Sequence, residues 1–162
     1  MAVMSGRRIV QQGTPAEVLS RPGSSAVARL LGYRNLFTAR VTGHEADTGF
    51  TLLEWTAANG AILRVPRRPE LAAGQLVQWM IAPTAVLLPL KPELHRVNNP
   101  VSGRIESRLN LGAHFQVALR CGTERLWLSA ERNLVQHQGL AIGREVIVHL
   151  PSEDMVCWPH PD

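Results

Sequence analysis

Lysine is almost absent from this chain: Lys91 is the only one, and every other basic residue of the 17 is arginine. A phosphate-binding loop of the Gly-x-x-x-x-Gly-Lys-Ser/Thr type needs a lysine that reaches the terminal phosphates. The single lysine lies in "PLKPEL" and cannot serve that motif. Aromatic residues make up only 5% of the chain, which speaks against a barrel that stacks bases on exposed rings. There are two cysteines, Cys121 and Cys157, without Cys-x-x-Cys spacing, so free thiols in a reducing compartment are expected rather than a disulfide or metal site. No window approaches the roughly 18 consecutive apolar residues of a membrane helix. The first residues lack the apolar stretch of about 7–15 residues of a secretory leader.

The remainder is ordinary soluble-domain material, 45% hydrophobic with a mean hydropathy of −0.03. The net charge of +4 admits nucleic acid, anionic lipid or oxyanions as partners. The arginines are scattered, with Arg7-Arg8 and Arg67-Arg68 the only adjacent pairs, so most read as solvated surface.

Organisation follows from the turn residues. Ala2-Val3-Met4 and Ile9-Val10 flank Ser5-Gly6 and read as a strand–turn–strand unit. "TPAE" then supplies Thr14 as N-cap, Pro15 at the first helical position and Glu17 for a capping box, opening a helix over about 15–20. After the break "RPGSS", the run "SSAVARLLG" predicts a second short helix stopped by Gly32. From residue 34 short β-type runs take over, with Asn59-Gly60 the strongest two-residue hairpin signal and the proline-bearing "LPLKPEL" (88–94) a linker between two sets.

The two β-rich sets resemble one another. "YRNLFTARVTG" (33–43) aligns with "VNNPVSGRIES" (97–107), which pairs Asn35 with Asn99, Phe37 with Val101, Ala39 with Gly103 and Val41 with Ile105. This is the period of a strand with one buried face. "GQLVQWMI" (74–81) matches "GREVIVHL" (143–150) more loosely. Small barrels built from two related halves are expected, with Ala39 and Gly103 where another strand passes closely.

Catalytic patterns are missing. There is no Gly-x-Ser-x-Gly, His-Glu-x-x-His or Gly-x-Gly-x-x-Gly, and "HEAD" (44–47) lacks a second histidine one helical turn away. The histidines at 95, 114, 137, 149 and 160 show no ligand spacing. No metal site and no enzymatic activity are expected of this segment. Trp55, Trp79, Trp127 and Trp158 lie in strand-like apolar contexts that predict core packing.

"AVMSGRRIVQQGTPAEVLSRPGSSAVARLLGYRNLF" resembles the end of the nucleotide-binding domain of ABC importer ATPases. The match is carried by Val3-Met4, Gly6 to Gln11, Gly13-Thr14-Pro15, Glu17-Val18, Leu31-Gly32, and Asn35 with Phe37. The rest resembles the transport-associated OB (TOBE) region of such ATPases, through "GQLVQWMIAPTAVLL" and "RLWLSAERNLVQHQGLAIGREVIVHLPSEDMV". Ala82 and Thr84 stand where that region has Arg and Glu.

The resemblance implies a mainly β fold of tandem OB-like (TOBE) small β-barrels, preceded by a hairpin and two short helices. Residues 1–32 would be the tail of an ATPase domain, 33–90 the first half and 91–162 the second. The chain then reads as the C-terminal piece of a longer polypeptide. Its role would be non-catalytic: regulation and homodimerisation of an importer's ATP-binding subunit, with ATP and Mg bound upstream. Membrane permease subunits would be partners, and the location the cytoplasmic face of the membrane. An alternative is an oxyanion-binding module of the molybdate or sulfate type. Molybdate-binding relatives use a Ser-Ala-Arg-Asn run, and the residues in that frame here are Arg34, Asn35, Arg96, Asn98 and Asn99. A nucleic-acid-binding OB barrel is the third reading, and no nucleic-acid partner is expected.

Overall fold

The computed structural model describes residues 1–88 and 98–161, with the backbone alone for Asn98 and Gln138. The linker beyond Leu88 and Arg96 lie outside the described residues.

The chain opens with the expected antiparallel hairpin, β1 (Ala2–Ser5) and β2 (Arg8–Gln12). Gly6 and Arg7 both take positive φ, 54° and 67°, as a tight two-residue turn requires. Helix α1 (Pro15–Ser20) starts on a complete capping box. The Glu17 N–H donates to Thr14 Oγ1 at 3.2 Å, and the Thr14 N–H donates to Glu17 Oε2 at 2.9 Å. Helix α2 (Ser25–Leu30) is capped by Ser24 and followed by Gly32 at φ 80°. Val3, Val18 and Val27 bury together and bind this N-terminal layer into a small core of its own.

The body consists of two sheets. In the first, β3 (Leu36–His44), β4 (Phe50–Trp55), β5 (Ala61–Pro66), β6 (Leu76–Ile81) and β11 (Met155–Pro159) lie in the order β11-β6-β3-β4-β5. In the second, β7 (Asn98–Asn110), β8 (His114–Cys121), β9 (Glu124–Glu131) and β10 (Glu145–Pro151) lie in the order β10-β7-β8-β9. Apart from β11 the two orders are the same, and the equivalence extends to fine detail. A bulge falls between Val41 and Gly43 in β3 and between Ile105 and Ser107 in β7. At those bulges the Gly74 N–H donates to Val41 O and the Gly143 N–H to Ile105 O, both at 2.7 Å. Two glycines at φ 88° and 91° make that return possible, because no side chain has to fit a left-handed backbone.

The halves exchange strands. The chain leaves β10 through a 3-10 turn (Ser152–Asp154) and returns to the first sheet, where β11 pairs along β6 from Met155↔Ile81 to Pro159↔Val77. The equivalent 3-10 turn after β6 (Pro83–Ala85) sends Leu87 to bridge His149 of β10. A split of the β region at residue 90 therefore describes the repeat in sequence, whereas β11, within 91–162, lies in the first sheet. One continuous core serves both halves, from Phe37 through Leu119 to Cys157.

Trp55, Trp79 and Phe37 form an aromatic cluster in that core, with ring centroids 4.6–5.0 Å apart. Trp158 is buried as well, and its indole N–H donates to Pro22 O at 3.0 Å, which fastens the N-terminal layer to β11. Trp127 departs from the expectation. Leu126 and Leu128 take the inward positions of β9, so the alternation of the strand puts Trp127 on the outer face, half-buried. A Cβ at Gly103 would lie 2.9 Å from Cys121 Sγ and 3.1 Å from Leu119 Cβ, the close strand passage foreseen there. A further element is new relative to the sequence reading: helix α3 (Arg132–Gln138), ended by Gly139 at φ 57°.

Candidate functional site

Asn35 and Asn99 precede or begin the first strand of each half and are almost completely buried. The Asn35 amide donates from Nδ2 to Trp127 O at 2.6 Å, and its Oδ1 accepts the Trp127 N–H at 2.7 Å. Asn99 does the same to Arg64, donating to its carbonyl at 2.9 Å and accepting its N–H at 2.7 Å. A carboxamide has the same donor–acceptor pair as a peptide group. Each asparagine thus acts as one residue of a missing neighbouring strand, on the outer edge of β5 or β9 of the opposite half. Asn99 also donates to Leu150 O at 2.9 Å.

Two of the five residues in the oxyanion frame are therefore committed to the halves' mutual contact. Asn98 contributes its backbone to the β7–β10 pairing opposite Pro151, and Arg96 lies outside the described residues. Arg34 is exposed, with its guanidinium 4.9 Å from the Trp127 ring centroid, a cation–π contact. Arg125 approaches the same ring at 5.9 Å, and Glu106 accepts from both Arg125 and Arg120.

His44, the first residue of "HEAD", has both ring nitrogens engaged, Nδ1 with Thr51 Oγ1 at 2.9 Å and Nε2 with Leu71 O at 2.7 Å. Among the described residues no three His, Cys, Asp or Glu side chains converge as a metal site. Burial pushes both the Cys121 and Cys157 thiols up to about 11, far from the thiolate that nucleophilic chemistry needs.

A cleft of about 760 Å³ lies where the N-terminal layer meets the first sheet. Leu19, Ser20 and Arg21 from the end of α1 form one wall. Ala82, Thr84 and Ala85 around the first 3-10 turn, and Glu153 and Asp154 of the second, form others, with Met80 and Arg68 between. Arg68 is held in place: its Nη1 donates to Cys157 O at 2.6 Å and its Nε to Glu70. The sequence reading passed over Arg21 and Asp154, and noted Ala82 and Thr84 only as departures from the Arg and Glu of the family pattern.

Residues 86–158 match the TOBE domain family. These residues form a TOBE domain. The TOBE region and the segment before it together align with ATP-binding proteins of importers. The spermidine/putrescine import ATP-binding protein PotA of Pseudomonas fluorescens is 28% identical over 94% of this chain and 40% of its own length. The sulfate/thiosulfate import ATP-binding protein CysA 2 of Chromobacterium violaceum is 31% identical over 98% of this chain and 41% of its own. The chain thus spans about two fifths of these relatives, corresponding to their C-terminal part. Among solved structures, the cytoplasmic molybdate-binding protein ModG superposes with a TM-score of 0.68, covering 80% of this chain and 97% of its own at 18% identity. At that identity the likeness is one of fold. The TOBE fold here is accordingly the tandem, mainly β arrangement anticipated from the repeat.

Proposed function

We propose that this chain is the non-catalytic accessory region of an ABC importer's ATP-binding subunit. The observation that carries the reading is joint coverage. Alignment to importer ATP-binding proteins runs through 94–98% of the chain, so it includes the N-terminal hairpin and capped helices as well as the TOBE body. Trp158 and Gln11 support a mechanical role, because Gln11 ties the hairpin to the segment after α1 and Trp158 ties that segment to β11. Trp158 reaches Pro22 O, and Gln11 accepts the Gly23 N–H at 2.7 Å. A motor attached ahead of the hairpin would transmit its movement to the β body through these contacts. Pairing with a second copy would hold two motors at raised effective concentration, and a partner with unequal affinity for the open and closed motor would bias the cycle. Permease subunits and the cytoplasmic membrane face belong to the same proposal.

The test starts from native cells. Antibody raised against this chain should capture a polypeptide longer than 17.8 kDa that hydrolyses ATP and co-purifies with membrane protein. The isolated chain should hydrolyse none. Capture of a 17.8 kDa species without ATPase activity overturns the reading.

A second reading, an oxyanion-binding module, draws on the likeness to ModG, a molybdate-binding protein. The internal commitment of the Asn35 and Asn99 amides weighs against it. Titration with millimolar molybdate, tungstate and sulfate decides: a saturable rise in melting temperature supports the module, and no rise removes it.

A further inference from the structure

The cleft beside α1 holds two opposite charges that do not meet. Neither the Arg21 guanidinium nor the Asp154 carboxylate forms a hydrogen bond or ion pair among the described residues, although both line the same 760 Å³ space. Their separation has a structural cause. Arg21 is fixed by its position as the last cap of α1, and Asp154 by the 3-10 turn that leads into β11. Trp158, on β11, is tied to Pro22, next to Arg21, so the two walls are joined at the base and cannot freely collapse on each other. Room between them comes from Ala82, Thr84 and Ala85, where the resemblance would place an arginine and a glutamate. Those larger, charged side chains would extend into the space and supply their own partners.

Among the described residues the Thr84 hydroxyl has no hydrogen-bond partner, and Arg68 is held by two contacts that do not use its second amino group. Exposed Leu19 and half-buried Val156 provide apolar surface among the polar groups. Its volume falls in the range of small-molecule sites, and polar groups make up much of its lining.

We infer that this cleft binds a small zwitterion of the amino-acid class. Its carboxylate pairs with Arg21, and Arg68 adds to the positive side. Its ammonium pairs with Asp154, and a short aliphatic side chain lies on Leu19 and Val156. A ligand with one charge gains one of these attractions and meets repulsion from the other wall. The site is separate from the asparagine contacts between the halves, and it stands whether or not the importer reading holds, because it concerns only this chain's own residues.

The complete 162-residue chain is titrated with L-leucine and followed by amide NMR. Two isosteres run in parallel: isocaproate, which keeps the carboxylate alone, and isopentylamine, which keeps the ammonium alone. L-leucine should saturably shift the amides of Ser20, Arg21, Thr84 and Asp154. Each isostere should bind about tenfold more weakly, the usual cost of losing a charge-assisted hydrogen bond. Arg21→Gln and Asp154→Asn, both at exposed positions, should each weaken L-leucine by a similar factor at unchanged melting temperature. Thr84→Phe, which fills the cleft and leaves both charges in place, should abolish the shifts. The proposal is overturned by no saturable shift up to about 20 mM, by equal binding of either isostere, or by shifts confined to residues away from the cleft.

Discussion

Asn35 and Asn99 show what a single buried carboxamide contributes. Each satisfies both backbone groups of one edge residue, so replacement by alanine strands a donor and an acceptor at once. Asn35→Ala and Asn99→Ala are each expected to lower unfolding free energy by about 1–3 kcal/mol, read by urea titration. Asn99→Ala should cost more, since it also releases Leu150 O. Glycine offers a second comparison at this scale. A Cβ at Gly122 would sit 2.1 Å from Ala57 O, whereas one at Gly6 meets nothing within 4 Å, and both residues have positive φ. Gly6→Ala therefore measures the left-handed backbone alone, about 1–2 kcal/mol. Gly122→Ala should exceed it clearly, because the turn between β8 and β9 must also move off the turn between β4 and β5. The thiols complete the residue scale. With Cys121 and Cys157 both buried and pushed up to about 11, labelling by an aromatic disulfide at neutral pH should be slow in the folded chain and fast in denaturant.

At the level of elements, α1 depends on its capping box. Hydrogen bonds from the Thr14 backbone and hydroxyl hold the Glu17 carboxyl below its usual range. A carboxyl whose folded value lies below its unfolded one contributes its stabilisation in full above the unfolded value. That contribution is lost as pH falls through the folded value. The six-residue helix should therefore loosen on acidification below the ordinary carboxylate range. Amide exchange at Val18 and Leu19 should report it, and in Glu17→Gln the acid-dependent step should be weakened. Capping and the β1–β2 turn were legible in the sequence, because each is decided by a residue and its neighbours within a few positions; Asn59-Gly60 marked the β4–β5 hairpin but not its length, since the 3-10 turn Thr56–Ala58 precedes the pair. Helix α3 was not legible, since its seven residues lie between strands with no side-chain N-cap to announce it.

The whole molecule is governed by the exchange of strands. Since β11 completes the first sheet and one core runs through both halves, neither half has an apolar face closed by its own residues. Unfolding should be a single transition, with tryptophan fluorescence and far-ultraviolet dichroism coincident in urea. Removing residues 155–162 should destabilise the first half, although that segment begins 74 positions after the end of β6 at Ile81. Two separated transitions in the intact chain, or an unchanged first half in the truncated one, would contradict this account.

The amino-acid sequence by itself determined the local grammar and the repeat: strand alternation, caps, turns, and the pairing of Asn35 with Asn99 and Ala39 with Gly103. Those are short-range properties, written in the period and turn chemistry of adjacent residues. Tertiary structure alone decided what the two asparagines hold, why Trp127 faces outward under Arg34, and where β11 goes. It also brought Arg21 and Asp154 to one cleft from opposite ends of the chain. Each of these depends on residues far apart in the chain becoming neighbours, and burial of the shared core, not any local pattern, selects which ones meet.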